Sequence, residues 1–88
     1  MIDRDTEEIL RAIGRRIAEI RSEKGLTQEA FADRADITPQ YLQELERGKQ
    51  NFSIKTLNRL AKLLGVPFEA LFVPPKTMES RPGRPRNK

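Results

Sequence analysis

Between residues 40 and 51 the chain concentrates side chains that make directed hydrogen bonds: Gln40, Gln43, Glu44, Arg47, Lys49 and Asn51. Amides, a carboxylate and two cations in so short a span suit recognition of a polar surface better than covalent chemistry. Their usual catalytic companions are missing. The 88 residues include no His and no Cys, which excludes imidazole acid–base catalysis, thiolate nucleophiles and disulfides, and makes a zinc site implausible. No enzymatic activity, no cofactor and no metal are expected. The same polar residues would also suit any solvated helix, so the elements that carry them decide their meaning.

Those elements are helices broken at short intervals. From about Asp5 to Lys24, Leu10, Ile13, Ile17 and Ile20 recur at steps of three and four and make one apolar stripe. Asp5 with Glu8 offers a capping-box start, and Gly25 a stop. Three further helices share one start signal: Leu26-Thr27 before Phe31, Ile37-Thr38 before Leu42, and Phe52-Ser53 before Leu57. Each is a hydroxyl N-cap flanked by an apolar residue, with an apolar partner at the fourth helical position, the hydrophobic staple. Pro39 follows Thr38 at the first helical position, which it favours. A fifth, short helix is expected from Pro67 to Phe72, after Gly65 and before Pro74-Pro75. The expected fold class is all-α, with five helices.

The second and third helices are about two turns each, separated only by Ala35-Asp36-Ile37, which fits a helix-turn-helix corner. Small Ala32 lets the two backbones approach. With Leu42 and Leu45 buried, Gln40, Glu44 and Arg47 face outward as a stripe, flanked by Tyr41 and Gln43. A short exposed helix of this kind is what major-groove readout requires.

The strings Leu26-Thr27-Gln28-Glu29-Ala30-Phe31-Ala32, Ile37-Thr38-Pro39-Gln40-Tyr41-Leu42 and Leu45-Glu46-Arg47-Gly48-Lys49 resemble the phage-repressor and Cro-like (Xre) family. The likeness continues through Ser53-Ile54-Lys55-Thr56-Leu57 and Leu64-Gly65-Val66-Pro67, covering about residues 13–72. It implies a repressor-like DNA-binding fold and a sequence-specific transcriptional regulator. By position, it implies base contacts from Pro39, Gln40, Gln43 and Glu44, and backbone contacts from Gln28, Thr38, Tyr41, Arg47, Lys49 and Asn51. Gln40 would suit adenine, Glu44 cytosine N4, and Pro39 a thymine methyl. For Glu44 the competing reading is a solvated acid paired with Arg47; for Asn51 it is turn geometry. The resemblance also implies a structural ion pair between Arg21 and Glu46. Asp36 stands where the family usually has Gly, at a corner expected to have positive φ.

Charge divides the chain. Residues 1–75 are neutral, with 12 basic and 12 acidic side chains, and the net +4 lies in residues 76–88, five basic against Glu79. That division separates a DNA-binding domain, 1–75, from a flexible basic tail, 76–88. Arg81-Pro82-Gly83-Arg84-Pro85-Arg86 resembles an AT-hook with Pro82 where Arg is usual. Arg81, Arg84 and Arg86 are read as a minor-groove hook, a phosphate-binding arm or a solubilising tail. The longest apolar run, residues 70–73, is too short to span a membrane, and the acidic N-terminus lacks a signal peptide's order, so a cytoplasmic protein is expected. A small domain with one helix-turn-helix favours a homodimer on a palindromic operator. Phe68, Leu71, Phe72 and Val73 are candidate interface residues, with the Ile2, Ile9 and Leu10 region as competitor. The alternative function is an antitoxin or adaptor whose main partner is an unknown protein.

Overall fold

Three hydroxyls start three helices. In the computed structural model, which describes residues 4–76, the side chains of Thr27, Thr38 and Ser53 accept hydrogen bonds from the backbone N–H of Ala30, Tyr41 and Thr56, each at 3.0 Å. They cap α2 (Gln28–Ala35), α3 (Pro39–Glu46) and α4 (Ile54–Leu64). Their preceding neighbours Leu26, Ile37 and Phe52 are half-buried against the core, which holds Phe31, Leu42 and Leu57. The staple therefore fixes the entry angle of all three helices.

The first helix, α1, runs from Arg4 to Glu23. Asp5 lies inside it, one of two acids in the first turn, so it acts on the helix dipole instead of capping as expected. The stripe Leu10, Ile13, Ile17 and Ile20 is buried, joined by Gly14 and Ala18. These side chains meet Phe31, Ala32 and Ala35 of α2, Leu42 and Leu45 of α3, and Leu57, Leu60, Ala61 and Leu64 of α4 in one core.

The expected fifth helix is a 3-10 helix, Phe68–Phe72, so the described residues hold four α-helices and this short turn. Proline explains the change. Pro67 supplies no N–H, and Val73 is extended (φ −69°, ψ 134°), as a residue before Pro74 prefers. Five residues remain between them, too few to propagate i→i+4 bonding. Arg16 Nε ties this turn to α1 by donating to the Ala70 carbonyl at 3.0 Å. Chain expected to belong to the tail begins docked: Lys76 donates its backbone N–H to Glu19 Oε2 (2.6 Å) and its Nζ to Glu23 Oε2 (3.3 Å).

Asp36 ends α2 in the left-handed region (φ 60°, ψ 43°), and among the described residues no other non-glycine has positive φ. Its N–H reaches the Asp33 carbonyl (3.2 Å) and that of Ile37 reaches Ala32 (3.0 Å), so the backbone closes a Schellman-type stop. The αL conformation is needed here, and aspartate adopts it at a cost. Asp36→Gly is therefore expected to stabilise the domain by a few tenths to ~1 kcal/mol, visible as a higher melting temperature. A lower one would count against αL strain at this corner.

Candidate nucleic-acid interface

Packing between α2 and α3 leaves one side of α3 outward. Ala32 and Ala35 are fully buried beneath it, and so are Leu42 and Leu45 on its inner side. Pro39, Gln40 and Arg47 are exposed, and Gln43 and Glu44 are half-buried at the edges of that outer side. Thr38, just before α3, is exposed, and its hydroxyl accepts the Tyr41 N–H while keeping its own proton for donation. Tyr41 is half-buried against the core. There is no acidic residue in the first turn of α3 or of α4, so both N-termini present their dipoles without a competing carboxylate.

After α3 the chain reverses at Gly48 (φ +77°). The Gly48 N–H donates to the Leu45 carbonyl (3.1 Å) and the Lys49 N–H to Glu44 (2.9 Å), the paired bonds of a Schellman stop. Arg47, Lys49 and Asn51 lie along this reversal and line an open groove with Glu7, Leu10, Arg11 and Gln50. Lys49 and Asn51 are exposed. The groove thus has cationic groups at its rim, close to the outer side of α3.

Beneath the interface lies an ionic cluster. Glu46, only 3% exposed, accepts from Arg21 Nε at 2.7 Å and Nη2 at 3.2 Å, a two-pronged pairing. Arg21 Nη1 donates to the Leu26 carbonyl at 2.6 Å. Gln28 completes the cluster by donating its amide to Glu46 Oε1 at 2.9 Å. Gln28, expected to contact the DNA backbone, is thus half-buried and tethered, with one amide hydrogen committed to protein and one remaining. Residues from α1, α2 and α3 converge on one carboxylate.

Several features have no local signature in the sequence. A Cβ on Gly14 would strike the Leu45 carbonyl oxygen and sit 2.7 Å from that of Glu46, so α1 and the last turn of α3 touch backbone to backbone. A Cβ on Gly48 would lie 2.7 Å from the Arg11 backbone. The same two segments therefore require glycine on both sides. The available signal was a glycine amid a helical stripe, where it costs about 1 kcal/mol relative to alanine unless contact demands it. Glu44 does not pair with Arg47; its Oε1 accepts from Gln50 Nε2 at 2.6 Å.

The expected interface residues separate. Leu71 is fully buried in the chain's own core, so it is not available to a partner. Counting apolar residues on a short helix could not tell which one turns inward. Phe68 is half-buried and meets Phe72 edge-on, with ring centroids 5.1 Å apart. Phe72 and Val73 remain 47% and 46% exposed and share a groove with Ile9, itself 57% exposed, and Pro74. The two surfaces read as competitors are one surface at this point. Leu10 is buried, and Ile2 lies outside the described residues, as do Arg81, Arg84 and Arg86. Among the described residues no helix is long and apolar enough to cross a membrane.

Comparison with known proteins follows the same segments. A family model described as helix-turn-helix matches residues 17–71. An uncharacterized HTH-type transcriptional regulator of Sinorhizobium fredii, y4dJ, is 45% identical over 62 residues, 70% of this chain and 80% of the relative. The immunity repressor protein of Bacillus phage phi105 is 39% identical over 59 residues, 67% of this chain and 41% of the repressor, so this chain spans less than half of that protein. The crystal structure of the restriction-modification controller protein C.AhdI from Aeromonas hydrophila aligns with a TM-score of 0.72 at 34% identity, covering 77% of this chain and 99% of the controller.

Proposed function

The chain belongs to the helix-turn-helix family of phage-repressor-like (Xre-type) proteins, and we propose that it regulates transcription as a homodimer on a palindromic operator. It is a sequence-specific DNA-binding regulator. One observation carries the mode of binding: α3 buries Leu42 and Leu45 completely and turns Pro39, Gln40 and the edge residues Gln43 and Glu44 outward. Laid in the major groove, that side brings two amides and a carboxylate to base edges. Arg47, Lys49 and Asn51 at the reversal, Thr38, Tyr41 and the free amide hydrogen of Gln28 then meet phosphates on either side of the groove. We read the protein as a cytoplasmic regulator without catalytic activity of its own, controlled through its own concentration.

Dimerisation follows from two arguments. One short recognition helix reads few bases, and pairing two copies doubles the site. The exposed Phe72, Val73 and Ile9 around one groove provide an apolar surface for a second copy to cover. A two-fold dimer on a palindrome requires its two α3 helices to lie one DNA turn, or a multiple of it, apart.

Selection of bound sequences from a random DNA pool tests the whole reading. The expected result is a palindrome whose half-sites lie about 10–11 bp apart or a multiple of it. Enrichment of a single half-site would overturn the dimer, and no enrichment would overturn sequence reading. Repeating the selection without residues 77–88 assigns the basic tail. A shallower salt dependence at unchanged consensus is the expected outcome for a phosphate-binding arm.

A further inference from the structure

Gln50 does not lie on α3, yet it holds one of the side chains on its outer side. The Gly48 reversal returns the chain beneath the end of α3, so that Gln50, six residues after Glu44, donates its amide to Glu44 Oε1 at 2.6 Å. The reversal is rigid, because Gly48 packs directly on the Arg11 backbone and Lys49 N–H is bonded to the Glu44 carbonyl. Both side chains are half-buried, which removes part of the freedom a surface glutamate would have. Among the described residues the Glu44 carboxylate accepts no other hydrogen bond.

From this we infer that Gln50 is a positioning residue for base selection: it aims the Glu44 carboxylate so that its second oxygen serves as a fixed acceptor for an amino group in the major groove. This rests on the reading of α3 as the recognition helix. A carboxylate offers no donor, so it selects bases that present an exocyclic amine, cytosine N4 or adenine N6, and rejects the carbonyl edges of guanine and thymine. A free glutamate beside phosphates would be repelled and would turn to solvent. The Gln50 amide opposes that by giving one oxygen a neutral donor while leaving the other for the base. Specificity at one base pair is therefore written in the loop as well as on the helix.

The experiment is selection from a random DNA pool with the full chain, its Gln50→Ala and Glu44→Ala variants, and the double variant. The wild type is expected to show one position per half-site with a preference for an amine-bearing base. Gln50→Ala lowers that preference by roughly tenfold and Glu44→Ala removes it. The double variant matches Glu44→Ala, because the two residues act as one unit. Preference ratios at the remaining positions persist. Gln50→Met, which keeps the side-chain length and removes the donor, reproduces the loss and separates it from lost packing. The inference is overturned if either Gln50 variant retains the preference, if the loss spreads evenly over the site, or if the Gln50 and Glu44 changes fall on different base pairs. A wild type that enriches no sequence would remove the parent reading as well, an outcome distinct from all of these.

Discussion

Gly14→Ala is expected to destabilise the domain by about 2–3 kcal/mol, although alanine is the better helix former by about 1 kcal/mol. The added methyl has nowhere to go. It would meet the carbonyl oxygens of Leu45 and Glu46 and the Glu46 carbonyl carbon, all backbone atoms in the last turn of α3. A side chain can rotate aside, but this turn cannot, because the bonds from Gly48 and Lys49 to Leu45 and Glu44 close it. The close approach continues one turn along α1, where Gly48 lies against the Arg11 backbone. Relief requires α1 to move away from α3 as a body. That movement opens the contact between Ile13, Ile17, Leu42 and Leu45 and stretches the Arg21–Glu46 pair, which spans the same two helices. In a domain this small, each 1 kcal/mol corresponds to about 4–8 °C. Thermal unfolding should therefore begin some 10–20 °C lower, at a loss comparable with much of the stability of a small domain. A melting temperature equal to or above that of the parent would show that α1 and α3 are not in backbone contact.

The glycine illustrates which parts of the molecule can be read along the chain. The caps at Thr27, Thr38 and Ser53 were legible because a cap is satisfied within three residues of itself. The left-handed corner at Asp36 was legible through the resemblance alone, because Asp36 stands where the family usually has Gly. Gly14 was not, since a close approach depends on a segment 31 or more residues away, and its only trace is a glycine in a helix without a local purpose. The tether from Gln28 to Glu46 bridges 18 residues and has no periodicity to reveal it. Gln50 reaches Glu44 through the Gly48 reversal, and that glycine was in view within the matching string while its consequence was not. Leu71 shows the opposite failure. Its apolar type is plain in the sequence, but orientation on a five-residue 3-10 helix follows no α-helical stripe, and it turns inward. Local chemistry is thus recoverable in order along the chain, while contacts between helix ends are recoverable only from residues whose intrinsic preference is being violated.

The second large effect concerns the carboxylate at the junction of the three helices. Arg21→Ala is expected to cost about 3–5 kcal/mol, because it leaves Glu46 charged, almost fully buried and supported by the Gln28 amide alone. Glu46→Ala should cost less. The Arg21 side chain is 14% exposed, keeps its bond to the Leu26 carbonyl, and is long enough to carry its charge toward water. Replacing both at once, Arg21→Met with Glu46→Leu, removes the desolvated pair and fills the space with apolar atoms of similar length. Such replacements of buried pairs are often neutral or stabilising. Urea unfolding of the parent, Arg21→Met, Glu46→Leu and the double variant closes a cycle on the pair and should show strong non-additivity, with the double variant more stable than Arg21→Met alone. Additive losses would mean that solvent already screens the pair. DNA binding separates stability from position. The double variant has lost the carboxylate that Gln28 donates to and the guanidinium that holds the Leu26 carbonyl, so the start of α2 is no longer tied to α3. Its affinity should fall on every sequence alike, without a change in base preference, because the contact we propose for Gln28 is to phosphate. A stable double variant with undiminished affinity would make the cluster a matter of folding alone, and would remove Gln28 from the backbone contacts.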